Sequence, residues 1–368
     1  MKALLKQTFF LLGSLILIYA LILGLVLTFV PRPLHSGALD TAAAAKTIFM
    51  TEPKYVFLNR GATASPAPKL ILLGASNVVV GFRQPQLQQL VRGMEVHNLA
   101  IGGSNMTQCA QVVDLVQELQ SPAAKRNTRY VIGIWYGQFA ENRVRWNTPD
   151  RHAGDTDIDI ERYRYGFSRR TKAGPVHVLP PDKLDVGVTL ILPYLALDRF
   201  AREGTKRLST VFGKPPAERT DEQRNATVVS DAEKVEMLKY WDGHMQTSGL
   251  VSGEQFVVLS NMIEKILQSG SHVLIVDLPI PRWHEQRSPY YASYQMQKKL
   301  LMEHFSGRER FSYFDKLENN DLDFSDEVHP KPRIAAQWAS RLAKVLEPMG
   351  KITPDNSLAI NDARSGHE

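Results

Sequence analysis

Cysteine is almost absent from this chain: Cys109 is the only one in 368 residues. A single thiol excludes an intrachain disulfide and argues against a zinc site built on cysteine thiolates. Cys109 follows Ser104-Asn105-Met106 in a stretch that reads as helix, where it acts as a small buried apolar side chain. A strong charge excess is also lacking. The formal net charge is +6, of which Lys2 and Lys6 supply two units. The remainder is too small to imply nucleic acid, and no basic patch interleaved with base-stacking aromatics occurs. Arg143, Arg145, Arg151, Arg162, Arg164, Arg169, Arg170 and Lys172 cluster loosely, but Asp150, Asp155, Asp157, Asp159 and Glu161 interrupt them. That stretch reads as a solvated face of mixed charge, with a surface for anionic lipid or polymer as the alternative. No HExxH-like helix is present to support a metal site, and no cofactor is expected.

A long apolar run occurs only at the N-terminus. Residues 9–30 contain no charge and are long enough to cross the hydrocarbon core as a helix. A cleaved signal peptide competes with this reading, because Lys2 and Lys6 form a basic leader and alanines follow at 42–45. The apolar run is longer than a usual signal core of about 7–15 residues, and the alanines lie well beyond its end, which favours an uncleaved signal-anchor over residues 1–30. Lys2 and Lys6 place the leading end in the cytoplasm, so the body is expected outside an inner, cytoplasmic membrane that the chain crosses once. Pro31 and Pro33 stop the helix, and residues 31–68, rich in Ala, Pro, Ser and Thr, read as a tether.

From residue 69 to about 350, short β-like runs alternate with amphipathic helical ones. This pattern predicts an α/β domain of three layers, a parallel sheet flanked by helices in the flavodoxin-like manner. Strands are expected at 69–73, 95–99, 130–135, 272–278 and 311–314, and the last helix at 334–346, followed by a tail over 351–368. Residues 147–253 break the alternation and read as an insertion. Its apolar segment at 186–197 contains Pro193 and is too short to cross a bilayer. A helix buried beneath the insertion is the plain expectation, and a lid or membrane-docking surface is the alternative. The Asn225-Ala-Thr227 sequon reads as incidental.

Two segments carry chemistry. Gly74-Ala-Ser76-Asn77 follows the first strand, at a turn where a serine hydroxyl stands above the sheet edge and a following helix directs N–H groups to the same place. Asp326-Glu-Val-His329 precedes the last helix; an Asp and a His three apart in a turn can pair through Nδ1 and leave Nε2 free to face a serine. A mononuclear metal site on Asp326 and His329 has no supporting helix motif. His97, His272 and His304 read as structural residues within strand or helix, whereas His244 and His284 read as loop residues of unknown use. Arg282 and Trp283 lie after the fourth strand, at the sheet end where ligands bind in open α/β folds, and could line an acceptor groove.

Four blocks together resemble the SGNH (GDSL-like) hydrolase superfamily. The first is Gly74-Ala-Ser76-Asn77, with Ala75 in place of the family's acid, and the second is Asn98-Leu-Ala-Ile-Gly102-Gly103-Ser104. The third, Gly137-Gln-Phe-Ala-Glu-Asn142, carries its asparagine three residues later than the family pattern, and the fourth is Asp326-Glu-Val-His329-Pro330. The resemblance implies a catalytic set of Ser76, Asp326 and His329, and an oxyanion hole from Ser76, Gly103 and Asn142, with Gln138 or Asn147 as substitutes for Asn142. A membrane-anchored member of this kind resembles the acyl-handling proteins of polysaccharide O-acetylation and teichoic acid D-alanylation. That implies an acyl-serine esterase or acyltransferase acting on O-acyl, foremost O-acetyl, groups of an envelope polysaccharide, working beside a membrane-bound O-acyltransferase. A catalytically silent polymer-binding scaffold and a lipase or lysophospholipase remain as alternatives.

The anchor reading is checked by fractionation: the chain with its N-terminus unprocessed is expected in the membrane fraction. A soluble exported form beginning near Ala45 would contradict it.

Overall fold

In the computed structural model the described residues are 2–29, 63–141, 152, 155, 157–164, 168–178, 220–245, 249–318 and 320–347, with scattered positions between 186 and 208. Helix α1 (Lys2–Phe29) is long and apolar enough to cross a membrane. At about 1.5 Å per residue its 28 residues extend roughly 42 Å, beyond the ~30 Å of a hydrocarbon core.

The body follows in the order β1 (Lys69–Leu73), α2 (Ser76–Gly81), α3 (Gln84–Leu90), β2 (Glu95–Asn98), α4 (Met106–Leu119), α5 (Pro122–Arg126) and β3 (Thr128–Ile134). A 3-10 turn at Tyr136–Phe139 leads into the inserted region, which contains α6 (Asp157–Arg164), a hairpin of β4 (Ser168–Thr171) and β5 (Gly174–His177), α7 (Asp221–Ala226) and α8 (Asp231–Met245). The alternation resumes with α9 (Gly253–Gln268), β6 (His272–Asp277), α10 (Arg282–Arg287), α11 (Tyr291–Phe305), β7 (Phe311–Phe314) and α12 (Pro332–Leu346).

Five strands form one parallel sheet in the order β2-β1-β3-β6-β7. The expected strands are all present, with ends shifted by one or two residues at β2, β3 and β6. Every residue of β1 and β3 is buried, as required of central strands covered on both faces. Parallel crossovers are right-handed, so the helices joining β1 to β2 lie opposite those joining β2 to β3 and β3 to β6. The packing agrees: α12 lies against α2 and α3, while α4 packs on α9. Helix α12 begins on Pro332 at a position where the missing N–H costs nothing, and its inward stripe includes Ile334, Trp338, Leu342 and Leu346. Cys109 is buried in α4, on the side toward Ser104.

This strand order contains one switch point, between β1 and β3, where consecutive connections leave the sheet in opposite directions. A crevice opens there at the carboxyl ends of the strands. Residues 74–76 and the Tyr136 turn both lie at that crevice. The inserted region flanks it. Arg83, between α2 and α3, makes a bidentate pair with Asp221 of α7 at 2.7 and 2.9 Å, and the Arg333 amide donates to the side chain of Asn225. The sequon asparagine is thus engaged within the fold.

One expectation for the insertion is corrected. Each described residue between 186 and 208 is helical, but Val186, Leu190, Tyr194 and Leu197 are half or more exposed rather than buried beneath the insertion.

Gly74 sets the corner between β1 and α2. Its φ is +142°, and a Cβ there would lie 2.4 Å from Val78 Cγ2 and 2.8 Å from the Gly133 carbonyl oxygen. Gly74→Ala is expected to lower stability by ~3 kcal/mol or more, from backbone strain and overpacking together. Gly93→Ala, also at positive φ but in open space, should cost only ~1 kcal/mol. Denaturant midpoints of the two variants check the difference.

Candidate active site

The tight corner at Gly74 lets α2 start directly above the sheet, with Ser76 as its first residue and Val78 against the backbone of Gly74 and Gly133. The Gly74 carbonyl then collects the second block. It accepts the Ile101 amide at 3.0 Å and the Ser104 hydroxyl at 3.0 Å. Between those two contacts the chain turns through Gly103, which is exposed and has a φ of +70°, a conformation glycine adopts without strain. Asn98 stabilises the same region: its side-chain amide donates to the Phe82 carbonyl at 3.0 Å, at the end of α2.

The fourth block forms a closed loop. The Ser325 amide donates to the His329 carbonyl at 2.9 Å, and the Lys331 amide to the Asp323 carbonyl at 2.8 Å, with a bridge between Phe324 and Pro330. Within it, Asp326 Oδ1 accepts the amides of Val328 and His329 at 3.0 and 2.8 Å. The second carboxylate oxygen accepts His329 Nδ1–H at 2.7 Å. This assignment makes Nε2 the free lone pair, and the Ser76 hydroxyl donates to it at 2.7 Å. Ser76, His329 and Asp326 therefore form one continuous hydrogen-bonded chain across 253 residues of sequence.

The electrostatics of the pair match this order. Burial works against both charged forms. At Asp326 the His329 charge and hydrogen bond, with the two loop amides, outweigh it and hold the carboxyl below its ordinary value. At His329 burial depresses the imidazole, but the Asp326 carboxylate and its hydrogen bond, with Glu327, raise it above 6.5 on balance.

A second histidine fastens the loop from behind. His284 is fully buried in α10; its Nδ1 donates to the Glu327 carbonyl at 2.8 Å, and the Tyr136 hydroxyl donates to its Nε2 at 2.6 Å. Burial pulls His284 down to about 4, so the ring is neutral near pH 7 and the tautomer follows from the carbonyl acceptor. Burial likewise pushes the Tyr136 phenol up, keeping it a donor. From the insertion, the Trp241 indole N–H approaches the Glu327 carboxylate at 3.4 Å, and the Trp241 ring packs edge-on against Trp135 at 4.7 Å.

Sequence spacing assigned no role to Tyr136, Trp241 or His284. The available signal was position: Tyr136 and His284 follow β3 and β6 at the carboxyl edge of the sheet. Instead of lying in loops, His284 sits in α10 and His244 in α8. His97 is buried in β2, with its Nε2 3.5 Å from a carboxylate oxygen of Glu95.

Of the two residues expected to line an acceptor groove, Arg282 is exposed, whereas Trp283 is buried with its ring stacked on His284. Asn142 and Asn147 lie outside the described residues. Gln138, the other candidate donor, is buried; its Oε1 accepts the Trp135 amide at 3.1 Å, leaving Nε2 without a partner. Among the described residues, no cluster of histidine, cysteine and carboxylate has the arrangement to hold a metal ion.

Replacing His284 by Phe leaves the Tyr136 hydroxyl and the Glu327 carbonyl buried without partners, at about 1–3 kcal/mol each. A loss of ~2–5 kcal/mol is expected for His284→Phe, and about 1 kcal/mol for Tyr136→Phe, in equilibrium unfolding. Equal effects of the two variants would contradict the clamp. Compared with known proteins, the chain matches no protein-family model and is similar to no curated protein.

Proposed function

We propose that the protein is a serine esterase or acyltransferase of the SGNH type, acting through an acyl-serine intermediate on O-acyl groups of a cell-envelope or exported polysaccharide, with acetyl the leading acyl group. The observation that carries this reading is the 2.7 Å contact between Ser76 Oγ and His329 Nε2, continued at 2.7 Å to Asp326. A hydroxyl facing a neutral imidazole oriented by a carboxylate, at the crevice of a doubly wound sheet, is equipped for nucleophilic attack.

In this reading Ser76 Oγ bonds to the ester carbonyl carbon as its proton passes to His329 Nε2. Asp326 keeps the ring in its tautomer and stabilises the imidazolium. The oxyanion is held by the amides of Ser76 and Gly103 and by the Asn142 side chain, where one such donor is worth about 3–4 kcal/mol in the transition state. His329 then returns the proton to the leaving alkoxide, and the tetrahedral adduct collapses to the acyl-serine. A second hydroxyl completes the cycle: water makes the enzyme an esterase, and a bound sugar hydroxyl makes it a transferase. Arg282 is the exposed candidate for contact with the acceptor. The apolar α1, with Lys2 and Lys6 leading, supports a single-pass protein of the inner membrane with its body outside, where a membrane-bound O-acyltransferase could serve as acyl source.

A fluorophosphonate probe should label the folded wild-type chain once, and Ser76→Ala should abolish the label. His329→Asn is expected to slow labelling at least ~100-fold, the scale of general-base assistance. Absence of label on folded protein, or label surviving Ser76→Ala, would point to a silent scaffold. On p-nitrophenyl esters, acetate should outpace long-chain esters; the reverse order would identify a lipase.

The pH dependence has a definite sign. The base must be neutral, so kcat/KM should rise with pH along a limb centred above 6.5, because His329 is raised in the folded protein. Asp326→Asn should lower the rate and move that limb downward.

A further inference from the structure

Helix α1 does not stand alone at membrane depth. The uncharged run at 9–30 has its midpoint at residues 19 and 20, so Tyr19 lies near the centre of the candidate span. Its hydroxyl donates to the backbone carbonyl of Leu190, in the inserted region. Whatever medium surrounds the middle of α1 therefore surrounds Leu190 as well.

The neighbourhood of Leu190 suits such a medium. Residues 186–197 carry no charge, and Val186, Leu190, Tyr194 and Leu197 are 56%, 50%, 56% and 61% exposed on a helical stretch. Pro193, one helical turn from Leu190, is buried. On α1, Leu23, Val26 and Leu27 are half-buried against the apolar residues of the body, so the outer part of the span is also covered by protein. Twelve residues are too few to cross the ~30 Å core, since a helix of that length would extend only about 18 Å. Charge flanks the segment on both sides, Asp182, Lys183 and Asp185 before it and Asp198, Arg199, Arg202, Glu203, Lys206 and Arg207 after it, so both ends return to the headgroups. The polar contact also fits: it lies on the exposed surface of the chain, and in hydrocarbon a tyrosine hydroxyl needs an acceptor, which the Leu190 carbonyl supplies.

We infer that residues 186–197 are a second membrane element, one that meets α1 at Tyr19 and presents Leu190, Tyr194 and Leu197 to lipid acyl chains. The insertion then does two things. Its α7 and α8 border the serine crevice through Asp221 and Trp241, while its apolar helix enters the bilayer beside the anchor. The crevice is thereby held at the membrane surface at two points, which restricts how far the body can swing on the tether.

The test uses the unsubstituted full-length chain in vesicles of phosphatidylcholine and phosphatidylglycerol, with a bilayer-partitioning diazirine as probe. Trypsin releases the segment of interest as residues 184–199, bounded by Lys183 and Arg199, and α1 as residues 7–46, because Pro33 protects the bond after Arg32. Adducts on both peptides are expected. Adducts on 7–46 with none on 184–199 overturn the inference and leave the anchor standing, whereas adducts on neither overturn both.

A second measurement labels single cysteines with an environment-sensitive fluorophore in a Cys109→Ala background. Leu190→Cys and Leu197→Cys should resemble Leu17→Cys in emission and in quenching by nitroxide lipids. Lys299→Cys, on the exposed face of α11, should remain accessible to dithionite. Bleaching of positions 190 and 197 as fast as position 299 would overturn the inference.

Discussion

The absence of a side chain at residue 74 is the constraint from which the candidate site follows. Val78 can approach the backbone of Gly74 and Gly133 only because neither carries a Cβ, and that approach seats the first turn of α2 on the sheet with Ser76 at its head. The carbonyl of the same glycine anchors the turn that displays Gly103. One backbone corner thus positions the serine and the amide proposed to work beside it, and any atom added there displaces both. The His329 loop is closed by its own backbone bonds and by the Asp326 carboxylate, and is fastened from behind by His284. The site is the meeting of two preformed corners rather than one flexible assembly.

His329 and His284, one on the loop and one behind it, shift in opposite directions, and the reason is the partner each one faces. His329 faces a carboxylate, which favours the imidazolium enough to overcome burial. His284 faces a backbone carbonyl and a phenol, neither of which repays the loss of water, so it stays neutral. The neutral ring can hold the loop without adding positive charge behind His329. A second cation there would lower the basicity that the Asp326 pairing raises.

Much of the sheet and its covering helices is legible in the residue pattern because burial imposes it. The runs at β1 and β3 are apolar without alternation, as strands covered on both faces must be, and the α12 stripe repeats at helical spacing. The placement of Ser76 and of the Asp326–His329 pair is legible for a local reason: a glycine corner after a strand and a three-residue Asp–His turn are short-range geometries. The positions of His284, Tyr136 and Trp241 are not, since each acts across the fold on a backbone carbonyl or carboxylate that no local pattern marks. The 186–197 segment misled for a related reason. Apolar composition states a preference for leaving water without naming the solvent, and the exposed face shows that the protein interior is not where these side chains go.

The distance along the chain between Ser76 and His329 has a consequence for synthesis. The hydroxyl is made 253 residues before its partner, and the loop carrying that partner is secured by Tyr136 and His284 from two other regions. A nascent chain therefore carries the Ser76 hydroxyl without His329 throughout most of its elongation. The pairing waits for the final fifth of the polypeptide, so truncated or stalled products lack it.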